Sequence, residues 1–375
     1  MPITIECVTT LDRLAAIDGA WQGLWQRTGA DIFQHHAWLS AWAADAVARR
    51  AAGLRIMLAW EDERLVAVLP LAIGAKRGLR VLHWAGQDFS DYCDALVDPD
   101  APWPAALVAL WDAALQKGGI DVVQMRQVRP DARARRILLQ DGNGLHVEDR
   151  HERCLRIDCE WPNGDAYFRS LNKKGRNNHT RGKRIIEEIG GPVRFRCLDP
   201  AEDHTAALDR LIALKRAWLQ ATDPHSSLLG EEADLLRSLL QTAITTGLGR
   251  LFVLEADGKM VTGSLNFLYE TKLQAYFTAY DPAFDRASPG TILIVEYAKW
   301  AFDRGLRQVD FLRGDETFKF RLGNAETLLD GYLGARSLLG HAAVNWKNWR
   351  KRVQPAAGPA PAVAMAGVDT RIDEH

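Results

Sequence analysis

Cysteine is scarce in this sequence, and the few residues present do not pair in any familiar pattern. Cys7, Cys93, Cys154, Cys159 and Cys197 are scattered, odd in number and without a CxxC. That argues against a disulfide framework and for a reducing, cytoplasmic setting. No stretch approaches the roughly 18 uninterrupted apolar residues of a membrane span. The first residues, MPITIECVTTLDRLAAIDGAW, carry acids where a signal peptide has its apolar core. Excess charge is missing too. Forty-seven Lys and Arg against 48 Asp and Glu leave a formal net charge of −1, so the chain as a whole lacks the positive balance of a general nucleic-acid binder. Any basic site must be local.

What is present fits a soluble globular protein. Hydrophobic residues make up 47% and charged residues 25% of 375 positions, enough for two domains of about 150–200 residues each. The 13 tryptophans are expected in the core rather than around a ligand. After Trp349 the chain turns Pro/Ala/Gly-rich (QPAAGPAPAVAMAG), so 351–375 reads as a disordered tail.

Apolar spacing predicts a strand over 3–8, one helix over 11–27 with Trp21 and Trp25 on its buried face, and a second helix over 33–50. Strands at 54–60 and 65–73 flank the turn Glu61-Asp62-Glu63 as a hairpin. A strand at 81–84, a helix at 102–117, strands at 120–125 and 145–149, and a helix at 133–140 complete a first unit. The second unit opens with a strand at 155–158. It continues through a strand at 193–197, helices at 206–221 and 231–246, a hairpin across Asp257-Gly258 and a strand at 272–280. Strand, helices, hairpin, strand, helix and strand recur in both halves. This is consistent with a duplicated α+β unit, with boundaries at 1–150 and 151–350.

Three stretches carry chemistry. Tyr280 to Gly323 reads as a strand end, the break Ser288-Pro289-Gly290, a helix from Thr291 closed by Gly305, a strand at 308–312 and a charged loop. The N–H groups of such a helix start can hold an anion. Residues 86–94 put Asp88, Asp91 and Asp94 beside Phe89 and Tyr92, a group that could serve as a base, bind an amine or simply cap a solvated turn. No histidine stands at ligand spacing there, so no metal is expected. Residues 170–184 hold six Lys/Arg and His179 with no acid before Glu187. That run is either a solvated helix face or a docking surface for phosphates or an acidic carrier.

The hairpin across Asp257-Gly258, the strand at 272–280, the Ser288-Pro289-Gly290 turn with its helix and the strand at 308–312 resemble the acyl-CoA-binding half of the GNAT N-acyltransferase superfamily, and the chain more specifically resembles the CelD-like or BioF2-like acetyltransferases related to FemAB peptidyltransferases. The resemblance rests on four segments. They are Phe33-Gln34-His35-His36-Ala37-Trp38-Leu39-Ser40-Ala41-Trp42, Ser90-Asp91-Tyr92, the basic helix with Arg176, Arg181 and Arg184, and Ser288-Pro289-Gly290 followed by Asp310-Phe311-Leu312-Arg313-Gly314-Asp315-Glu316-Thr317-Phe318-Lys319. It covers most of 1–350 and implies two tandem GNAT-like domains, each a mixed, mostly antiparallel sheet flanked by helices. One departure stands out. The usual pyrophosphate loop, Q/R-x-x-G-x-G/A, is reduced to Arg286-Ala287-Ser288-Pro289-Gly290-Thr291, in which Pro289 has no N–H to offer.

The resemblance implies direct attack of an amine on a thioester or ester carbonyl. Acyl-CoA, acetyl-CoA above all, is the implied donor, held by Arg286, Ser288, Gly290 and Thr291. The acceptor would be an amino sugar or amino-acid amine for cell-envelope or exopolysaccharide material. Asp88, Asp91 or Asp281 could act as base, with Tyr92 or Tyr280 as proton donor. Arg176, Arg181, Arg313, Asp315 and Lys319 could contact donor or substrate, unless Asp315 only pairs with Lys319. The alternatives are a FemAB-like aminoacyl-tRNA-dependent transferase, with tRNA or an acidic carrier on 173–184, and a non-catalytic binding module. A tandem pair is compatible with a monomer.

Overall fold

The structure is a computed structural model describing residues 3–101, 103–148 and 151–353. The described chain divides into two compact units, residues 3–152 with 327–353 and residues 153–326. Each is an α+β unit whose mixed, largely antiparallel sheet is flanked by helices.

In the first unit, β1 (Ile3–Val8) leads through α1 (Leu11–Ala16), α2 (Asp18–Thr28) and α3 (His36–Ala48) into the hairpin β2 (Ala52–Glu61) and β3 (Arg64–Lys76). Then come β4 (Leu79–Trp84), β5 (Leu96–Val97), α4 (Trp103–Gln116), β6 (Val122–Val128), α5 (Arg135–Leu138) and β7 (Leu145–Val147). The sheet runs β1-β2-β3-β4-β6 and closes with a strand from the far end of the chain, described below. Neighbours are antiparallel except β4 and β6. Residues 65–72 of β3 are buried without alternation, because α4 packs against β1, β2 and β3 while α2 and α3 also pack on the sheet.

Two expected helices are broken. Ile17 (φ −101°, ψ 8°) interrupts 11–27, its N–H turning back to Leu14 O at 3.4 Å. Residues 32–34 form a 3₁₀ turn, and His35 is extended (φ −70°, ψ 139°) before α3. Its Nδ1 accepts the N–H of Ala37 at 3.2 Å, so histidine does the capping usually done by Ser, Thr, Asp or Asn.

The second unit begins with β8 (Glu152–Asp158), α6 (Gly164–Ser170), α7 (Lys173–Gly190), β9 (Val193–Cys197), α8 (Thr205–Thr222) and α9 (Ala233–Thr245). It continues with β10 (Gly249–Ala256), β11 (Lys259–Tyr269), β12 (Lys272–Tyr280), α10 (Pro289–Asp303), β13 (Gln308–Arg313) and α11 (Thr317–Leu322). The strand order is β8-β13-β12-β11-β10-β9. On one face Phe252 of β10 meets Tyr297 and Trp300 of α10. Phe252 pairs with Ser264, and the neighbouring Gly263 faces Leu211 of α8. Successive residues of a strand point to opposite faces, so α10 and α8 cover opposite sides of this sheet. β12 and β13 are parallel and pair only over Lys272–Gln274 and Gln308–Asp310. Beyond that the ladder ends, near left-handed Leu312 (φ 55°).

The sequence reading extended the second unit to 350. The chain after Glu326 instead packs with the first unit as β14 (Ala325–Ala335) and α12 (Leu338–Val353). β14 pairs antiparallel with β6 and β7 and buries Tyr332 completely. α12 reaches three residues into the expected tail, whose remainder lies outside the described residues. No helix among the described residues is long and apolar enough to cross a membrane.

Candidate functional site

The second unit contains a cleft of about 750 Å³ bounded by α6, α7, the start of α10 and α11. Each wall has a local cause. Asn172 caps α7 by accepting the N–H of Gly175 at 2.7 Å. Asp281 caps the 3₁₀ turn Pro282–Ala287, accepting the N–H of Ala283 at 3.0 Å. Ser288 is left-handed (φ 51°, ψ 54°) and Pro289 takes the first position of α10, where its missing N–H costs nothing and its fixed φ suits the helix. The helix therefore starts two residues before Thr291. Gly182 brings α7 against this turn, since a Cβ there would lie 2.5 Å from Ala287 O.

The lining is basic. Lys174, Arg181, Arg286 and Arg321 line the cleft, all are exposed, and none has an ion-pair partner among the described residues. Asp285 is the single acid in the lining, and it already accepts the Tyr280 hydroxyl at 2.7 Å. Unpaired cations around a concave surface focus a positive potential. Between them lie apolar Leu171, Ile185, Ile292, Val295 and Phe318. At one end Trp161 and Tyr167 meet edge to face, with centroids 5.0 Å apart. The hydroxyl of Tyr167 and the Oγ1 of Thr291 are buried without a hydrogen-bond partner. Burial pushes Tyr167 above its ordinary pKa.

A second polar feature opens on the same cleft. His179 of α7 lines it, and its Nε2 lies 3.0 Å from Glu296 Oε1 of α10. Lys183 Nζ approaches the same oxygen at 3.2 Å. Burial alone would raise the Glu296 pKa, but the hydrogen bond from His179 and the charge of Lys183 hold it down to about 2. His179 also packs edge-on to Phe168 at 4.9 Å.

Residues 173–320, which include most of the cleft lining, match the family model described as an acetyltransferase (GNAT) domain. Among solved structures the fold resembles FemX, with a TM-score of 0.55 at 12% identity, covering 88% of this chain and 97% of that one. It resembles the C-terminal domain of a putative lysylphosphatidylglycerol synthetase from Agrobacterium fabrum (TM-score 0.54, 13% identity, 95% and 99% coverage). L-PGS from Bacillus licheniformis is similar too (TM-score 0.53, 13% identity, 89% and 96%). At these identities the likeness is one of fold. No curated protein matches the sequence at a significant level.

Within the GNAT-domain match, Arg181, Arg286, Ser288 and Thr291 come together in the cleft, with Gly290 buried in the adjoining first helical turn. Arg176 turns away, donating to the carbonyls of Arg169 (2.9 Å) and Leu171 at the end of α6. Asp281 is bound by Arg210 at 2.6 Å. The expected charged loop is helical from Thr317. Lys319 is fully buried and pairs with Glu316 at 2.9 Å, not with Asp315, which is exposed. Lys319 Nζ also donates to the carbonyl of Arg313 at 2.5 Å.

Asp88, Asp91 and Tyr92 belong to the first unit. Asp88 is exposed and Asp91 buried. Tyr92 packs on Phe33 with Arg129 over its ring, 4.8 Å from the centroid. Asp94 of the same cluster accepts the N–H groups of Arg133 and Ala134 at 2.9 and 2.8 Å, with burial raising its pKa to about 6 against those bonds. Among the described residues no group of His, Cys, Asp and Glu could hold a metal ion. Sequence reasoning missed Lys174, Arg321, His179 and Glu296 as site residues. His179 was visible only as one member of a basic run, and nothing local ties it to Glu296, 117 positions away.

Proposed function

We propose that the second unit is an N-acyltransferase that passes an acyl group from a phosphate-bearing donor, acyl-CoA, to an amine. Lys174, Arg181, Arg286 and Arg321, unpaired around one cleft at the first turn of α10, carry this reading. Four cations without an ion-pair partner among the described residues suit the phosphates of CoA. The apolar stretch and the Trp161–Tyr167 end suit a pantetheine arm and acyl chain. The match of 173–320 to an acetyltransferase (GNAT) domain supports the same chemistry. The acceptor is proposed as an amino sugar or amino acid, for cell-envelope or exopolysaccharide material.

The short turn before α10, with Pro289 in place of an N–H donor, favours a second reading. An aminoacyl ester on tRNA would rely on side-chain cations rather than on a loop of N–H groups, and the fold likeness to FemX is in keeping with that.

Calorimetric titration with CoA and acetyl-CoA decides between them. Binding that is lost in Arg181→Glu and Arg286→Glu supports the first reading. No heat at millimolar ligand, from protein shown to be folded, removes it. Salt-sensitive tRNA binding lost in Arg181→Glu would then establish the second.

A further inference from the structure

We propose that His179 is the proton acceptor of this cleft and that Glu296 positions it. The assignment rests on reading the cleft as the acyl-transfer site. Asp285 and His179 are the carboxylate and imidazole in its lining, and Asp285 is already occupied by the Tyr280 hydroxyl. Asp281, the other acid of that turn, is held by Arg210 and by the N–H of Ala283.

His179 has the arrangement a base needs. The Glu296 carboxylate lies 3.0 Å from Nε2 and so selects the tautomer with its proton on that nitrogen. The lone pair is then on Nδ1, which has no hydrogen-bond partner among the described residues. Glu296 remains an anion because His179 donates to it and Lys183 shares its oxygen at 3.2 Å. Phe168 fixes the plane of the ring, whose side chain is only 9% exposed. A carboxylate that orients an imidazole in the wall of a binding cleft, and leaves its far nitrogen without a protein partner among the described residues, is the logic of an oriented general base.

The step balances. The acceptor ammonium gives one proton to solvent on entering. The neutral nitrogen attacks the thioester carbonyl, forming the C–N bond, and its second proton passes to His179 Nδ1. As the C–S bond breaks, that proton moves from the imidazolium to the departing thiolate.

A base at the acyl carbon differs from a histidine that merely straps α7 to α10, and bromoacetyl-CoA separates the two. This analogue places an alkylating carbon where the acyl group sits, and a nearby imidazole nitrogen displaces its bromide. We expect one CoA-protectable adduct on His179, at Nδ1, mapped by mass spectrometry and NMR. His179→Gln should abolish it. In Glu296→Gln labelling should slow about tenfold and spread to Nε2, because the tautomer is no longer chosen, an outcome a simple strap does not produce. Protein that binds CoA but is labelled elsewhere, or not at all, overturns the assignment and leaves the proposed function standing. Labelling of His179 that CoA does not block overturns it equally. Absence of both CoA binding and labelling removes the reading of the cleft and this inference together.

Discussion

Gly182 faces Ala287 so closely that a Cβ on it would stand 2.5 Å from that carbonyl oxygen and 2.7 Å from Ile292 Cδ1. The basic helix α7 thus meets the turn before α10 at the one kind of residue that allows the approach. Backbone oxygen cannot move aside as a side chain can, so Gly182→Ala should push α7 outward. A loss of about 1–3 kcal/mol in urea unfolding is expected, with weaker CoA binding. Gly19→Ala is the control, because a Cβ there meets nothing within 4 Å. Equal effects at the two positions would refute the steric account.

Glu296 makes stability depend on pH. Its pKa is held at about 2 against a reference of 4.5, so the folded state favours the carboxylate and the contribution is complete above about pH 4.5. It should disappear as the pH falls from 4.5 towards 2, where both states are protonated. The shift corresponds to at most about 3 kcal/mol. Wild type and Glu296→Gln should therefore differ in Tm near neutrality and converge in acid. A gap that widens in acid would contradict the sign.

How much of this was legible follows from how far each interaction reaches. The Asp257-Gly258 turn and the helix after Ser288-Pro289-Gly290 are set by neighbours in sequence, and both were read from it. α7 was readable only as a dense basic run on a helical face, and its burial of Gly182 and Ile186 was not. The His35 cap was not, because histidine is an uncommon N-cap. The choice of Glu316 over Asp315 as partner of Lys319 depends on the i, i+3 geometry of a short helix that had been read as a loop. β14 was invisible for another reason. Its ladder to β6 joins residues separated by the whole second unit, and no local pattern encodes such a pairing.

Lys215 is 1% exposed, and burial lowers its pKa to about 7, with the charge of Glu316 acting in the opposite sense. Below pH 7 the protonated amine is buried over the rings of Trp218 and Phe277, and its desolvation penalty is fully present. Between pH 7 and the reference of 10.5 the unfolded chain binds the extra proton, so stability rises with pH. Lys215→Met keeps the volume and removes the charge. The stability of this variant relative to wild type should be highest near pH 6 and fall towards pH 10. A constant difference across that range would show that the charge is not the cause.

Lys319 is the sharpest case in which burial changes a role. As a residue of a charged loop it was a natural contact for an anionic donor, yet its side chain has no exposed surface. Its ammonium is consumed internally by Glu316 and by the carbonyls of Leu312 and Arg313, at 2.9, 3.4 and 2.5 Å. The two carbonyl bonds tie α11 to the end of β13, next to Gly314, whose φ of 122° suits glycine. Lys319→Met would leave the Glu316 carboxylate buried without its cation and two carbonyls short of a donor, so a cost of about 3–5 kcal/mol is expected. Replacing both partners, Lys319→Met with Glu316→Gln, should recover much of that loss, because no charge is then stranded. Arg321, two residues on and exposed in the cleft, should behave in the opposite way, with Arg321→Met sparing stability and weakening CoA binding. If Lys319→Met instead unfolded like wild type and lost only CoA affinity, the brace would be the wrong description and Lys319 would have to reach the donor.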